Sequence, residues 1–288
     1  MPTRSSVTAD EREAQAEALH ENIATQVEAL RHTAAWERFL QFARAFHNYS
    51  LNNVLLILSQ RPEASRVAGF RRWQELGRQV RKGERAIRIF GYSTKKTTEE
   101  DDNGDEVETI TRRFPILSVF DISQTDVIDG ETDPMQLVRP LTGVEDHGFS
   151  AALTNYLTGE GWDVRHEPIP GDTNGYARPA DRTVTIDANL SPEHTAKTLI
   201  HETAHILLEH VDDLEDYAEH RGIAETEAES VAYVVAGLLG FDTSAYSIGY
   251  IAGWADGDTD TIRATANRVL RTADAIMDAL AGDDELED

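Results

Sequence analysis

Thr198-Leu199-Ile200-His201-Glu202-Thr203-Ala204-His205-Ile206-Leu207-Leu208 sets a His-Glu-x-x-His pentad inside an apolar, helix-periodic segment. Residues four apart on a helix lie above one another, so His201 and His205 can offer ring nitrogens to one ion. Zinc takes such a pair of neutral imidazoles plus a third protein ligand, and keeps a fourth position for water. Glu202 projects about 100° round the helix from His201. That places it beside the ion rather than on it, where a general base for the water belongs. The helix is expected on independent grounds. Ser191-Pro192 offers an N-cap followed by proline at the first helical position, and Leu199, Ile200, Ile206 and Leu207 form an apolar stripe next to the histidines. Two ordinary half-buried histidines would satisfy the bare pentad; its place at the apolar centre of a capped helix favours a metal site.

A third ligand has to come from a later helix, and residues 223–235 read as one. Val231, Val234, Val235, Leu238 and Leu239 are its apolar positions and Gly240 its stop. Three carboxylates compete there. Glu225 and Glu229 share a face at i, i+4, while Glu227 points roughly 200° round. One acid on the ion and one carboxylate orienting a histidine would fit that arrangement.

The helix pair resembles the zincin arrangement, in which His-Glu-x-x-His is followed on a later helix by Glu-x-x-x-Asp/Glu, whose first acid binds zinc. Glu225-Thr226-Glu227-Ala228-Glu229 matches that pattern. By the resemblance, Glu225 is the ligand and Glu229 the outer carboxylate. A rival frame takes Glu227-Ala228 as the ligand pair.

Composition narrows the chemistry. The 288 residues carry 27 Lys and Arg against 52 Asp and Glu, a net charge of −25, and no cysteine. Disulfides and thiolate ligands are therefore excluded, leaving His and carboxylate for any metal. Acidic charge spread through the whole chain, rather than in one block, fits a halophilic proteome that works in screening salt. No apolar run approaches membrane-spanning length and the polar N-terminus lacks a signal peptide's apolar core, so a cytoplasmic protein with no membrane partner is expected.

One stretch departs from this balance. Between Arg61 and Lys96 there are eleven basic residues against Glu63, Glu75 and Glu84, with Phe70, Trp73, Phe90 and Tyr92 interleaved. A solvated basic face with core aromatics is the plain alternative. In so acidic a chain a segregated basic strip is unusual, and cations that track a backbone plus rings that stack bases are what single-stranded nucleic acid requires. Arg66, Arg71, Arg72, Trp73, Arg78, Arg81, Lys82, Arg85 and Arg88 are the candidate contacts.

The same region carries a second resemblance. Asn48-Tyr49-Ser50-Leu51-Asn52-Asn53-Val54-Leu55-Leu56-Ile57, Arg61-Pro62, Val67-Ala68-Gly69-Phe70, Trp73, and Leu76-Gly77-Arg78-Gln79-Val80-Arg81-Lys82-Gly83-Glu84 together resemble the N-terminal domain of the ArdC antirestriction family over residues 10 to 125. The resemblance implies single-stranded DNA binding, a following zincin-like domain, and a place in plasmid transfer and antirestriction.

The expected plan is α+β, with a DNA-binding domain at 10–125, a linker at 126–145 and a zinc metallopeptidase-like domain at 146–282. Helices are expected at 8–31, with Thr8 and Glu11 in capping-box spacing, at 33–46, and from Ser50 to Pro62, these three packing as a small bundle. Strands are expected at 86–92 and 116–120 with an acidic Asn103-Gly104 loop between them, then a helix at 148–159 and strands at 162–166 and 183–186. Asn174-Gly175-Tyr176 reads as turn, and the small sheet offers an edge for an extended peptide. Tyr246, Tyr250 and Trp254 read as packing residues, and a final helix carries Ile262 through Leu280 before an acidic tail at 283–288. His194, about 10 Å along the helix from His201, is too far to share an ion. His210 and His220, in acidic surroundings, are expected to be exposed, and His47, His147 and His166 have no partner spacing.

A zinc peptidase joined to a single-stranded DNA-binding domain is the leading expectation, with a peptide or protein as substrate and Glu202 as base. A non-enzymatic DNA-binding protein with a structural or vestigial metal site shares every motif. So does a DNA-responsive protease that cleaves a repressor-like partner.

Overall fold

A computed structural model of the chain describes residues 8–100, 106–129, 148–210, 214–243 and 259–281. It is an α+β protein with small sheets. The described residues divide into two compact units. One holds those up to Gln26 and from Asn52 to 129; the other holds Val27 to Leu51 and the described residues from 148 onward.

The first unit opens with α1 (Ala9–Ala29), whose Thr8/Glu11 capping box forms in both directions: Glu11 N–H donates to Thr8 Oγ1 at 3.1 Å and Thr8 N–H to Glu11 Oε2 at 2.8 Å. Helix α3 (Leu51–Gln60) buries Val54, Leu55 and Ile57 completely. β1 (Val67–Gly69) leads into the short α4 (Phe70–Glu75), followed by β2 (Arg78–Val80), β3 (Ile87–Phe90), β4 (Ser93–Glu100), β5 (Glu106–Arg113), β6 (Ile116–Asp121) and β7 (Thr125–Val127). β6 is the centre of an antiparallel β1-β6-β3 sheet with Ile87 opposite Val119, and β2 pairs with β7.

The outer edge of β3 is closed by side chains. Asn53 and Gln60, seven residues apart on one face of α3, each donate to and accept from the strand. Asn53 meets both backbone groups of Phe90 at 2.8 and 2.9 Å, and Gln60 those of Arg88 at 2.9 Å. Two amides thus replace a neighbouring strand and remove an edge that could recruit another chain.

β4 and β5 form a hairpin paired out to Glu100↔Glu106 where the sequence reads as loop. β-Branched residues on both sides of Asn103-Gly104, Thr94, Thr97 and Thr98 before it and Val107, Thr109, Ile110 and Thr111 after it, are a hairpin signature. Residues 101–105 themselves lie outside the described residues.

The second unit contains α2 (Thr33–Phe46), α5 (Phe149–Gly159), β8 (Asp163–Glu167), β9 (Gly175–Arg178), β10 (Thr183–Asp187), α6 (Pro192–Leu207), α7 (Leu214–Leu238) and α8 (Thr259–Ala281). β10 lies between β8, to which it is parallel, and β9, to which it is antiparallel. α7 is flanked by α6, α8 and α2. Its small residues Ala224, Ala228, Ala232 and Ala236 are buried and let these neighbours approach. Division by packing therefore differs from division by chain order, because α2 belongs here and not in an N-terminal bundle. Its Trp36 is fully buried and donates through Nε1 to Ser230 Oγ of α7 at 3.1 Å. An amphipathic helix announces that one face is covered, but not by what. Most of the expected linker, His147, Tyr246, Tyr250, Trp254 and the acidic tail lie outside the described residues. No described helix is long and apolar enough to cross a membrane.

Candidate metal centre and basic face

α6 begins as its sequence dictates, with Ser191 accepting from His194 N–H and Pro192 in the first turn. Leu199, Ile200 and Ala204 are fully buried, which fixes the helix's rotation and turns His201 and His205 to the side facing α7. Their Nε2 atoms lie 3.0 Å apart. Glu225 comes from α7, and its Oε2 is 3.7 Å from each of them. The three ligand atoms all fall within 4.8 Å of one another. Glu229, one turn on, places Oε1 3.8 Å from His201 Nδ1. The His201 and Glu225 side chains keep 20% and 37% of their surface exposed, so the cluster is open to solvent on one side.

Glu227 is not in the cluster. Its Oε2 accepts from His210 Nε2 at 2.9 Å and from Arg268 Nε at 3.2 Å, so the frame that makes it a ligand does not fit. His210, expected to be exposed, is largely buried, with its Nδ1 3.1 Å from His205 Nδ1. The helix end explains this. His210 N–H donates to the His205 carbonyl and Glu209 N–H to the Ile206 carbonyl, both at 3.0 Å, while Glu209 takes φ 61°. That is a Schellman ending with glutamate in the left-handed position usually held by glycine. It folds the sixth residue of the motif, His210, back over the first, His205. With no glycine to mark the reversal, the sequence gives no sign of it.

Burial sets the electrostatics. Desolvation, then the neighbouring His205 ring, brings His201 down to about 4, against the pull of Glu225. It is a neutral imidazole near pH 7, the form a metal takes. Glu202 is only 8% exposed; burial, helped by the Glu225 charge and opposed by His205 and an Ala177 backbone hydrogen bond, pushes it up to about 7. A divalent cation beside it would draw that value down. Burial, then Glu225, raises Glu229 as well.

Ala177 belongs to β9, the edge strand of the small sheet, in the stretch the sequence reads as turn. Asn174 accepts from Asp187 N–H, so 174, 176 and 178 point to β10, and the backbone groups of Gly175 and Ala177 point to the open edge. The Ala177 N–H meets Glu202 there. Gly175 is required for this approach: a Cβ would come within 2.7 Å of Thr198 Cγ2 on α6.

In the first unit, seven of the nine proposed nucleic-acid contacts are on the surface: Arg66, Arg71, Arg72, Arg81, Lys82, Arg85 and Arg88. Two are not. Trp73 is completely buried and donates through Nε1 to the Phe120 carbonyl at 2.8 Å. Arg78 is 9% exposed and donates through Nε to Thr125 Oγ1 at 2.8 Å. Both hold the fold, because α4 presents Trp73 to the sheet and β2 turns Arg78 inward. Of the surface cations, Arg72 pairs with Glu75, and Arg81 with Glu84 and Asp126. Phe90, also interleaved in the strip, stacks on His20 at 4.9 Å.

Among the described residues of the first unit the exposed apolar rings are Phe70, 44% exposed, Tyr92, 64% exposed, and Phe114, which lies 5.9 Å from Tyr92 and has no place in the sequence-based expectation. Phe114 follows the exposed Arg112 and Arg113, a basic-aromatic run that repeats the strip's own signal. Phe70, Phe120, Arg81 and Lys82 line a cleft of about 580 Å³.

Two segments of the chain match known families. Residues 13–121 match the N-terminal domain of the anti-restriction factor ArdC, and residues 159–237 match the IrrE N-terminal-like domain of the M78 peptidases. An uncharacterized Bacillus anthracis protein, pXO2-81, is 28% identical over 255 residues, covering 76% of this chain. The chain spans 43% of that relative's length. The metal-free crystal structure of the antirestriction protein ArdC from plasmid R388 covers 80% of this chain and 84% of its own, at 22% identity and a TM-score of 0.47. The corresponding values for its Mn(II)-bound structure are 81%, 85%, 22% and 0.46. The chain thus carries a segment that matches the ArdC N-terminal domain followed by one that matches the IrrE N-terminal-like domain.

Proposed function

We propose that this chain is a single-stranded DNA-binding protein of the antirestriction kind whose second unit is a zinc-dependent peptidase. The observation that carries the enzymatic half is the convergence of His201, His205 and Glu225 with Glu202 alongside. Two imidazoles and one carboxylate, with no thiolate in the chain, suit zinc and also manganese or iron. When bound, such a cation supplies Lewis acidity toward a carbonyl and an attacking water.

The chain's own residues do the rest. Glu202 accepts the proton of the attacking water on its carboxylate and returns it to the leaving amine. The Ala177 N–H holds that carboxylate at the edge of β9. The outward backbone groups of Gly175 and the Ala177 carbonyl let an extended substrate add to the sheet as a further strand. Glu229 steadies the His201 ring.

The DNA-binding half rests on surface cations without a close acidic partner among the described residues, Arg66, Arg71, Lys82 and Arg85, together with the exposed rings Phe70, Tyr92 and Phe114. Cations attract phosphates, and rings stack any base without reading its edges.

The test pairs metal analysis with peptidase assays, with and without single-stranded DNA. Stoichiometric zinc in the wild type, its loss in His205→Ala, and cleavage abolished by a chelator are the expected results. Zinc retained with no cleavage of any substrate, DNA present or absent, would leave a DNA-binding protein with a non-catalytic metal site.

A further inference from the structure

One chain of polar groups in the second unit, buried except at its Arg268 end, is not accounted for by the ligand set. It runs from His205 Nδ1 to His210 Nδ1 at 3.1 Å, from His210 Nε2 to Glu227 Oε2 at 2.9 Å, and from Glu227 Oε2 to Arg268 Nε at 3.2 Å. The His210 and Glu227 side chains are 8% and 4% exposed. We propose that His210, Glu227 and Arg268 are positioning residues that hold the His205 ring in its metal-binding orientation and tautomer. The proposal rests on the metal-site reading above.

The direction of each hydrogen bond follows from what each group can do. The Glu227 carboxylate only accepts, so His210 Nε2 carries the hydrogen. With its hydrogen on Nε2, His210 offers Nδ1 as the acceptor, and the hydrogen between the two rings is that of His205 Nδ1. That leaves the His205 lone pair on Nε2, the atom 3.7 Å from Glu225 and 3.0 Å from His201 Nε2. Arg268 balances the buried carboxylate at the far end of the chain.

The two ligand histidines are thus supported differently. His201 faces Glu229 directly, whereas His205 is tied to its carboxylate through a second imidazole. The helix ending is built for this. Glu209 adopts a left-handed conformation that non-glycine residues take only at a cost, and the result is to lay His210 on His205. A Schellman ending usually makes an apolar contact at that place; here it makes a polar one.

The chain also borders a cavity of about 410 Å³ lined by His210, Glu227, Ile223, Thr265 and Arg268, among others. A vacated ring position there is large enough to admit a small heterocycle, which provides a test. The full-length protein and its variants compete with a chromophoric chelator for Zn²⁺. Wild type binding one Zn²⁺ and His205→Ala binding none is the expected baseline; a wild type that binds none defeats the metal-site reading itself.

Against that baseline, His210→Leu, which keeps bulk but no hydrogen bonds, weakens Zn²⁺ binding about tenfold or more. His210→Gln, which can accept from His205 and donate to Glu227, stays within a few-fold of wild type. In His210→Ala, millimolar imidazole restores affinity relative to wild type measured in the same imidazole. Wild-type affinity in His210→Leu overturns the proposal. So do equal losses in the Leu and Gln variants without imidazole rescue, which would make His210 packing alone. Should His210→Leu fail to fold, Glu227→Leu against Glu227→Gln makes the same comparison, and wild-type affinity in Glu227→Leu overturns it.

Discussion

Glu225 Oε2 stands 3.7 Å from both His201 Nε2 and His205 Nε2, closing a triangle whose base is the 3.0 Å between the two ring nitrogens. Equidistance distinguishes this carboxylate from Glu229, whose Oε1 approaches the other nitrogen of His201. The two acids, one helical turn apart, should therefore fail differently. Glu225→Ala removes a ligand and should abolish stoichiometric zinc. Glu229→Ala should leave the site occupied at saturation but weaken it by about 10–100-fold. Metal content after dialysis, together with chelator competition, separates the two; identical behaviour would mean the two acids share one role.

Glu202 is beside the cluster and bonded to the edge strand, so its removal should affect chemistry and spare binding. Glu202→Gln keeps the shape and can still accept from the Ala177 N–H. Zinc content should be unchanged while peptide hydrolysis falls by about 10²–10⁴-fold. Loss of zinc in this variant, or undiminished hydrolysis, would remove Glu202 from the role of base.

Much of this centre is legible in the sequence because it depends on short-range geometry. Helical periodicity alone brings residues 201 and 205 together, and a second helix with acids at 225 and 229 needs only to pack antiparallel. What the sequence does not show depends on longer-range or rarer events. His210 is placed by a left-handed Glu209, for which no glycine gives notice. β9 is hidden because Asn174-Gly175 signals a turn, whereas the glycine is there to let the strand touch α6. The aromatic interleaving of the basic strip is real, yet it cannot say which ring of a six-residue helix faces the sheet. Trp73 goes in and Phe70 stays out.

That difference makes the nucleic-acid reading testable ring by ring. Phe70→Ala or Tyr92→Ala should lower affinity for single-stranded oligonucleotides by about 1–3 kcal/mol without moving the melting temperature. Stacking does not depend on counterion release, so the deficit should persist at high salt, where Arg71→Ala matters progressively less. Trp73→Ala should instead destabilise the protein by about 3–5 kcal/mol. Melting curves beside binding isotherms at two salt concentrations decide this; oligonucleotide affinity indifferent to both Phe70 and Tyr92 would move the binding face elsewhere.

Acid should loosen the first unit through Asp121. This carboxylate is 1% exposed and accepts from the backbone N–H groups of Ser65, Arg66 and Ser123 at 2.9, 3.1 and 2.9 Å. It thereby ties the loop before β1 to the 3-10 turn at Ile122–Gln124. Burial alone would raise its pKa, but the hydrogen bonds from Ser123, Ser65 and Arg66 outweigh it and leave the value below the usual carboxylate range. A group whose pKa is depressed on folding stabilises the native state above its unfolded pKa, and that contribution is lost as the pH falls through the folded value. Asp121→Asn should cost about 2 kcal/mol at neutral pH, as expected for hydrogen bonds to a charged acceptor. The difference from wild type should shrink below about pH 4, where the unfolded carboxylate begins to bind protons. Denaturant melts of both proteins across that range provide the check. A gap that stays constant from neutrality to pH 2 would mean that the ionised form is not what those three amides hold.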